Sequence, residues 1–144
     1  SGVEFGSHTV THPQLGSLAT EAVRYEVRCS KEIIEERVGY PVTSFAYPFA
    51  FPETKRAFTA RLREFLEEAG YDNGVSTMIG TVNRRSDRWF MKRLPINSGD
   101  DISLFRAKLE GSYDWLHAVQ YASKLVTTSI RRALQPSGAP SNSD

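Results

Sequence analysis

The 144 residues predict an α/β fold in which about four parallel strands, joined by crossover helices, make up part of a (β/α) barrel. Three observations carry this. Short apolar stretches that stop at Gly or Pro alternate with longer stretches of helical spacing. Strand, helix, strand, helix is the order that parallel crossovers produce and successive hairpins do not. The chain also opens almost inside a strand, which needs neighbours on both sides to bury its two faces. Further N-terminal strands are therefore expected in a segment missing from these residues.

Each element has its own signal. In VEFGSH, Val3 and Phe5 alternate around Glu4, giving a strand that stops at Gly6. Gly16-Ser17 precede LATEAVRYEVRCSKEIIEERVG, with Ser17 expected as N-cap and Leu18, Ala22, Tyr25, Cys29, Ile33 and Ile34 as the buried stripe. Gly39 ends this helix as a left-handed residue, and Pro41 blocks its continuation. VTSFAYPF is a second strand, stopped by Pro48. A helix starting at Pro52-Glu53 buries Phe58, Leu62, Phe65 and Leu66 and stops at Gly70. GVSTMI is a third strand, GTVNRRSD a polar loop, and RWFMKRLPI a fourth strand, anchored by Trp89 and Phe90 and ended by Pro95. Asp100 or Asp101 caps ISLFRAKLEG, and a last helix runs from about Tyr113 to Leu134. The domain is thus expected over 1–134, with the apolar-poor QPSGAPSNSD, 135–144, as a disordered tail.

Eighteen Lys and Arg against seventeen Asp and Glu leave a net charge of +1, which offers no footprint for nucleic acid or an anionic membrane. No stretch approaches the ~20 apolar residues of a transmembrane segment, and no charged-then-apolar leader opens the chain. The single Cys29 excludes an intrachain disulfide and a thiolate metal cluster. Inside a helical pattern it reads as a packing residue.

The chemistry is concentrated in EFGSHTVTHPQL. His8 and His12 stand four residues apart, a spacing from which two neutral imidazoles reach one Zn²⁺ at ~2.0–2.1 Å, whether on a helical turn or a tight loop. They follow the carboxyl end of a strand, where α/β proteins place their active sites. The Thr9 and Thr11 hydroxyls suit hydrogen bonds that fix a ligand ring. Two histidines are half of a four-coordinate site. The plain alternative is an α/β domain in which the pair is structural.

EFGSHTVTHPQL resembles the second motif, His-[Ser/Thr]-x-x-His, of the polysaccharide deacetylase family (the NodB-homology domain, carbohydrate esterase family 4). FAYPF resembles the third motif in a form met among exopolysaccharide-associated members, and EEAGYDNGVST followed by RLPIN keeps a similar order, so that the resemblance spans most of residues 3–110. It implies a partial NodB-type (β/α) barrel. The implied activity is metal-dependent hydrolysis of N-acetyl (or O-acetyl) groups on a polysaccharide such as an N-acetylglucosamine polymer, a reaction at C–N bonds other than peptide bonds. His8 and His12 match the histidine ligands of a divalent metal, Zn with Co or Ni as alternatives. The backbone N–H of Phe49 matches an oxyanion donor. Tyr47 and Pro48 are expected at the substrate, Tyr47 by stacking on a pyranose ring, with a place in the core as its plain alternative. The implied location is the cell envelope or outside it.

The departures from the family pattern are as informative. Its Asp-Asp motif, source of the base and of the third, Asp ligand, lies ahead of the histidines, and only seven residues precede His8. Glu4, on the strand face opposite Val3 and Phe5, cannot replace it. The expectation is an incomplete and inactive fragment that self-associates or pairs with its missing N-terminal part. Ala46 stands where the third motif carries an arginine, and YDNGVST lacks the aspartate that orients it. Joint loss is consistent, because a lone survivor would be an uncompensated charge. Arg93, at the end of the fourth strand, is the candidate to enter the site instead. The fifth motif, Leu-x-His, is not found after RLPIN; Trp115 to His117 has the letters, but within the last helix. The alternative function is a catalytically degenerate glycan-binding or scaffold module of the same family.

Overall fold

Three short parallel strands and four helices make up the computed structural model, which describes residues 2–134. The expected tail at 135–144 lies outside the described residues. In chain order come a single 3₁₀ turn (Leu15–Ser17), α1 (Thr20–Val38), β1 (Ser44–Ala46), α2 (Arg56–Glu68), β2 (Asn73–Ile79), β3 (Met91–Arg93), α3 (Ile102–Leu109) and α4 (Trp115–Leu134). The sheet order is β1-β2-β3, with Phe45 opposite Gly74 and Val75 opposite Met91. The parallel α/β class expected from the sequence is the one observed.

The first strand shrinks to one parallel bridge, Ser7 to Phe45. Ser7 N–H donates to Ser44 O and Ala46 N–H donates to Ser7 O, both at 2.8 Å. Among the described residues the chain before Ser7 has no ladder partner, and Val3 and Phe5 are exposed. The fourth strand contracts to three residues, because Trp89 and Phe90 lie in the turn that precedes it. Trp89 is nonetheless buried, and Phe90 packs against the core.

α1 differs from expectation at its start and on its buried face. Ser17 belongs to the 3₁₀ turn, its hydroxyl donating to Gln14 O, and the N-cap is Ala19 without a side-chain cap. The buried face is Val23, Glu26, Val27 and Ser30, while Tyr25 is exposed. The stripe is rotated from the apolar one because two polar side chains occupy it. Gly39 does end the helix in the left-handed region (φ 75°), its N–H donating to Glu35 O at 2.9 Å.

α2 starts at Arg56, three residues past Glu53, whose carboxylate accepts from His117 Nε2 (2.8 Å) and Lys124 Nζ (2.9 Å) on α4. Asp101 caps α3 by accepting Leu104 N–H at 2.7 Å. Its neighbour Asp100 instead takes Lys108 Nζ at 2.6 Å in a buried ion pair. The core, with Leu15, Val27, Val42, Phe45, Leu62, Phe65 and Tyr71 among its members, draws on α1, α2 and β1. Past the last β1–β2 pair, α4 takes over: Ile79 N–H donates to Gln120 Oε1 (3.0 Å), and Gln120 Nε2 donates to Thr77 O (3.1 Å).

Candidate active site

β1 organises the site. Its bridge to Ser7 delivers His8 beside Ala46, and its carboxyl end runs into Tyr47-Pro48-Phe49. His8 Nδ1 lies 2.7 Å from Ala46 O. A carbonyl can only accept, so Nδ1 carries a proton, which in the neutral tautomer leaves the lone pair on Nε2. His12 Nε2 lies 3.1 Å from His8 Nε2, and its ring packs on that of Phe49 with centroids 4.6 Å apart.

The backbone here is unusual. Among the described residues, positive φ outside glycine occurs at Thr9 (70°), His12 (54°) and Phe49 (57°). Each such residue costs about 1–3 kcal/mol, and such strain clusters at functional sites. All three surround the imidazole pair. Thr9 Oγ1 accepts His12 N–H at 3.1 Å, which ties the two halves of the loop together.

A second anchor comes from α1. The Glu26 carboxylate, only 6 % exposed, accepts Val10 N–H (2.7 Å), Thr11 N–H (3.0 Å) and the Thr11 hydroxyl (2.6 Å). Burial alone would raise this carboxyl; the donors from Thr11 and Val10 outweigh it and hold the group below its ordinary value. Ser30, one turn further on, shares a buried hydroxyl–hydroxyl hydrogen bond with Ser7. Neither residue was legible as part of the site from sequence. The available signal was a polar pair at i, i+4 interrupting an apolar stripe.

Two nitrogens on a tetrahedral Zn²⁺ at ~2.0–2.1 Å sit about 3.3 Å apart, close to the 3.1 Å between the two Nε2 atoms. The pair therefore fits two positions of such a metal. Among the described residues no third His, Cys, Asp or Glu joins them.

The other expected residues fall differently. The Phe49 amide finds no acceptor among the described residues, and its side chain is 48 % exposed. Tyr47 and Pro48, expected at the substrate, are both buried. Tyr47 is packed edge-to-face against Phe51 (4.9 Å) and Phe58 (6.5 Å). Burial also pushes its hydroxyl up to about 12, against a bond to Gly16 that lowers it. These two residues shape the Phe49 turn from beneath. Beside that turn is a depression of about 350 Å³ bounded by Gln14, Tyr47, Pro48, Phe49, Ala50 and Lys55, so both expected substrate residues line it although little of either is exposed. Arg93 is an exposed residue at the far edge of the sheet, three strand spacings of ~4.8 Å from Ser7. That placement does not bring it to the histidines. His117 faces Glu53.

A family model described as polysaccharide deacetylase matches residues 1–74, from the chain start into β2, covering both histidines and the Phe49 turn. The chain belongs to the polysaccharide deacetylase family. It is 25% identical over 109 residues to YxkH of Bacillus subtilis (strain 168), named for the same family, with 76% of this chain and 37% of that protein covered. Its fold is similar to that of the deacetylase PplD of Streptococcus pyogenes, solved with acetate (TM-score 0.65, 19% identity, 73% of this chain and 44% of that one). It is also similar to a polysaccharide deacetylase from Bacillus cereus (TM-score 0.56, 24% identity, 72% of this chain and 31% of that one). The chain thus spans less than half the length of each of these deacetylases. No described helix is long and apolar enough to cross a membrane.

Proposed function

We propose that this chain carries the histidine half of a metal-dependent deacetylase centre acting on N-acetyl (or O-acetyl) groups of a polysaccharide. The observation that supports it most is the convergence of His8 Nε2 and His12 Nε2 to 3.1 Å within a loop strained at Thr9 and His12. In this reading both histidines hold a divalent ion, Zn²⁺ or a near relative. When bound, it supplies Lewis acidity toward an acetyl carbonyl and its attacking water.

The chain's own residues do the rest of what these segments can do. Ala46 O keeps the His8 proton on Nδ1, so Nε2 stays available as a ligand. The unpaired Phe49 N–H donates to the carbonyl oxygen as it gains charge. The exposed Phe49 ring and the adjacent depression, near the lower end of the ~300–1,000 Å³ usual for ligand sites, take the sugar. Water oxygen adds to the acyl carbon, and the C–N bond (C–O in an O-acetyl ester) breaks. The leaving nitrogen or oxygen takes up the proton that the water gave to the base, and amine or alcohol and acetate depart. The proton of the attacking water needs a carboxylate base, and the described residues bring none to the histidines. These 144 residues alone are therefore expected to give no turnover.

Equilibrium dialysis with Zn²⁺ tests ligation directly. One ion per chain in the parent and none after His8→Ala with His12→Ala is the expected outcome; equal uptake by both overturns it. The incomplete ligand set favours a second reading, a glycan-binding module of the same family. Binding of an N-acetylglucosamine oligomer that is indifferent to added metal and to the histidine substitutions would select that one.

A further inference from the structure

The loop between the histidines belongs to neither helix nor sheet, so its backbone donors need partners of their own. Val10 and Thr11 both send their amides to one carboxylate oxygen of Glu26, and the Thr11 hydroxyl takes the other. On the same face of α1, four residues later, Ser30 meets Ser7. The helix thus grips the chain on either side of His8 and just before His12, at two points one turn apart.

We propose that Glu26 is a positioning residue for the metal pair: its buried carboxylate holds Val10 and Thr11 so that the flanking left-handed residues, Thr9 and His12, bring both Nε2 atoms together. This rests on the proposed ligation by His8 and His12. Among the described residues Val10 and Thr11 amides have no other acceptor. Among the described residues, the other side-chain bond to the loop backbone is that of Thr9 Oγ1, which is internal to the loop. His8 keeps its bond to Ala46 O and the His12 ring its contact with Phe49, but without Glu26 the Val10 and Thr11 backbone is free to relax the strained φ angles on either side, and the rings separate. Glu26 touches neither imidazole; it acts through the backbone.

The test compares Zn²⁺ affinity in the parent, Glu26→Ala and Glu26→Gln, alongside thermal stability and amide exchange at Val10 and Thr11. Loss of a group that orients metal ligands typically lowers affinity about 10–100-fold. Glu26→Ala is expected in that range, with fast exchange at both amides. Glu26→Gln, which keeps an oxygen acceptor, should recover part of both. Affinity within about 2-fold of the parent in Glu26→Ala, with unchanged exchange, overturns the proposal. A purely structural role predicts instead that affinity tracks melting temperature across the variants, with no rescue by Gln. If Glu26→Ala does not fold, the Gln variant carries the test: faster exchange at Val10 and Thr11 together with weaker Zn²⁺ binding supports positioning, and affinity within about 2-fold of the parent despite faster exchange at both amides overturns it. Absence of Zn²⁺ binding in the parent sinks the ligation reading alone, and amide exchange at Val10 and Thr11 then decides the role of Glu26.

Discussion

Gly74 sits in β2 opposite Phe45, and a Cβ built there meets the Trp89 carbonyl oxygen at 2.4 Å, where ordinary contact begins at 3.4 Å. Gly74→Ala must therefore move backbone by about 1 Å, a distance that follows from those two values. The displaced turn holds the buried Trp89 and the Arg88 carbonyl that accepts Gly74 N–H at 2.8 Å. Overpacking of this kind costs roughly 1–3 kcal/mol, and weakening the hydrogen bond about 0.5–1.5 more. A total of about 2–4 kcal/mol, at ~2.1 cal/mol/K of unfolding entropy per residue, corresponds to a Tm lower by roughly 7–13 °C for this chain. Gly39→Ala is the control, because its Cβ meets open space and only the positive φ opposes it. About 1 kcal/mol of strain gives a loss near 3 °C. Thermal unfolding followed by circular dichroism measures both. A Gly74→Ala Tm within about 2 °C of the parent would refute the packing argument.

Three further outcomes are expected. Tyr47, whose hydroxyl stands at about 12 in the fold against ~10 unfolded, keeps its proton longer in the native state, so stability falls as pH rises from ~10 to ~12, by roughly 2–3 kcal/mol in all. Urea titrations across that range check it, and either a parent without this pH-dependent loss or a Tyr47→Phe variant that retains it in full would contradict it. Asp101→Ala removes the bond to Leu104 N–H and should cost about 1 kcal/mol, read as lost amide protection in the first turn of α3. The exposed Trp115, Val119 and Val126 of α4 suit self-association or pairing with a complementary segment. Sedimentation equilibrium should show association that Val119→Glu weakens, and a strictly monomeric parent counts against it.

Much of the fold was legible because its signals are local. Gly39 and Gly70 mark helix ends whose left-handed φ, 75° at each, the backbone requires, and Leu62, Phe65 and Leu66 repeat at a spacing that only one helix face accommodates. The strand lengths were not legible, since a strand extends only as far as a neighbour pairs with it, and pairing is not a property of VEFGSH or RWFMKRLPI alone. The histidine spacing announced the pair. What holds it was hidden, because reading α1 by its apolar residues treats Glu26 and Ser30 as solvent-facing. For Tyr47 the sequence left core burial and sugar stacking both open, since an aromatic before a proline reads the same beneath a turn as upon it.

Gln120 invites a last consequence. One amide group answers two main-chain atoms of β2 that a neighbouring strand would otherwise engage. α4 thereby acts as a removable stopper on the ladder, seated by a side chain instead of woven in. Its departure would bare Thr77 O and Ile79 N without unravelling the strand that owns them. The same spot is where β1 veers off toward the Phe49 bend, and just past that bend Ser123 and Lys124 of α4 share a depression with Ala50, Phe51 and Lys55.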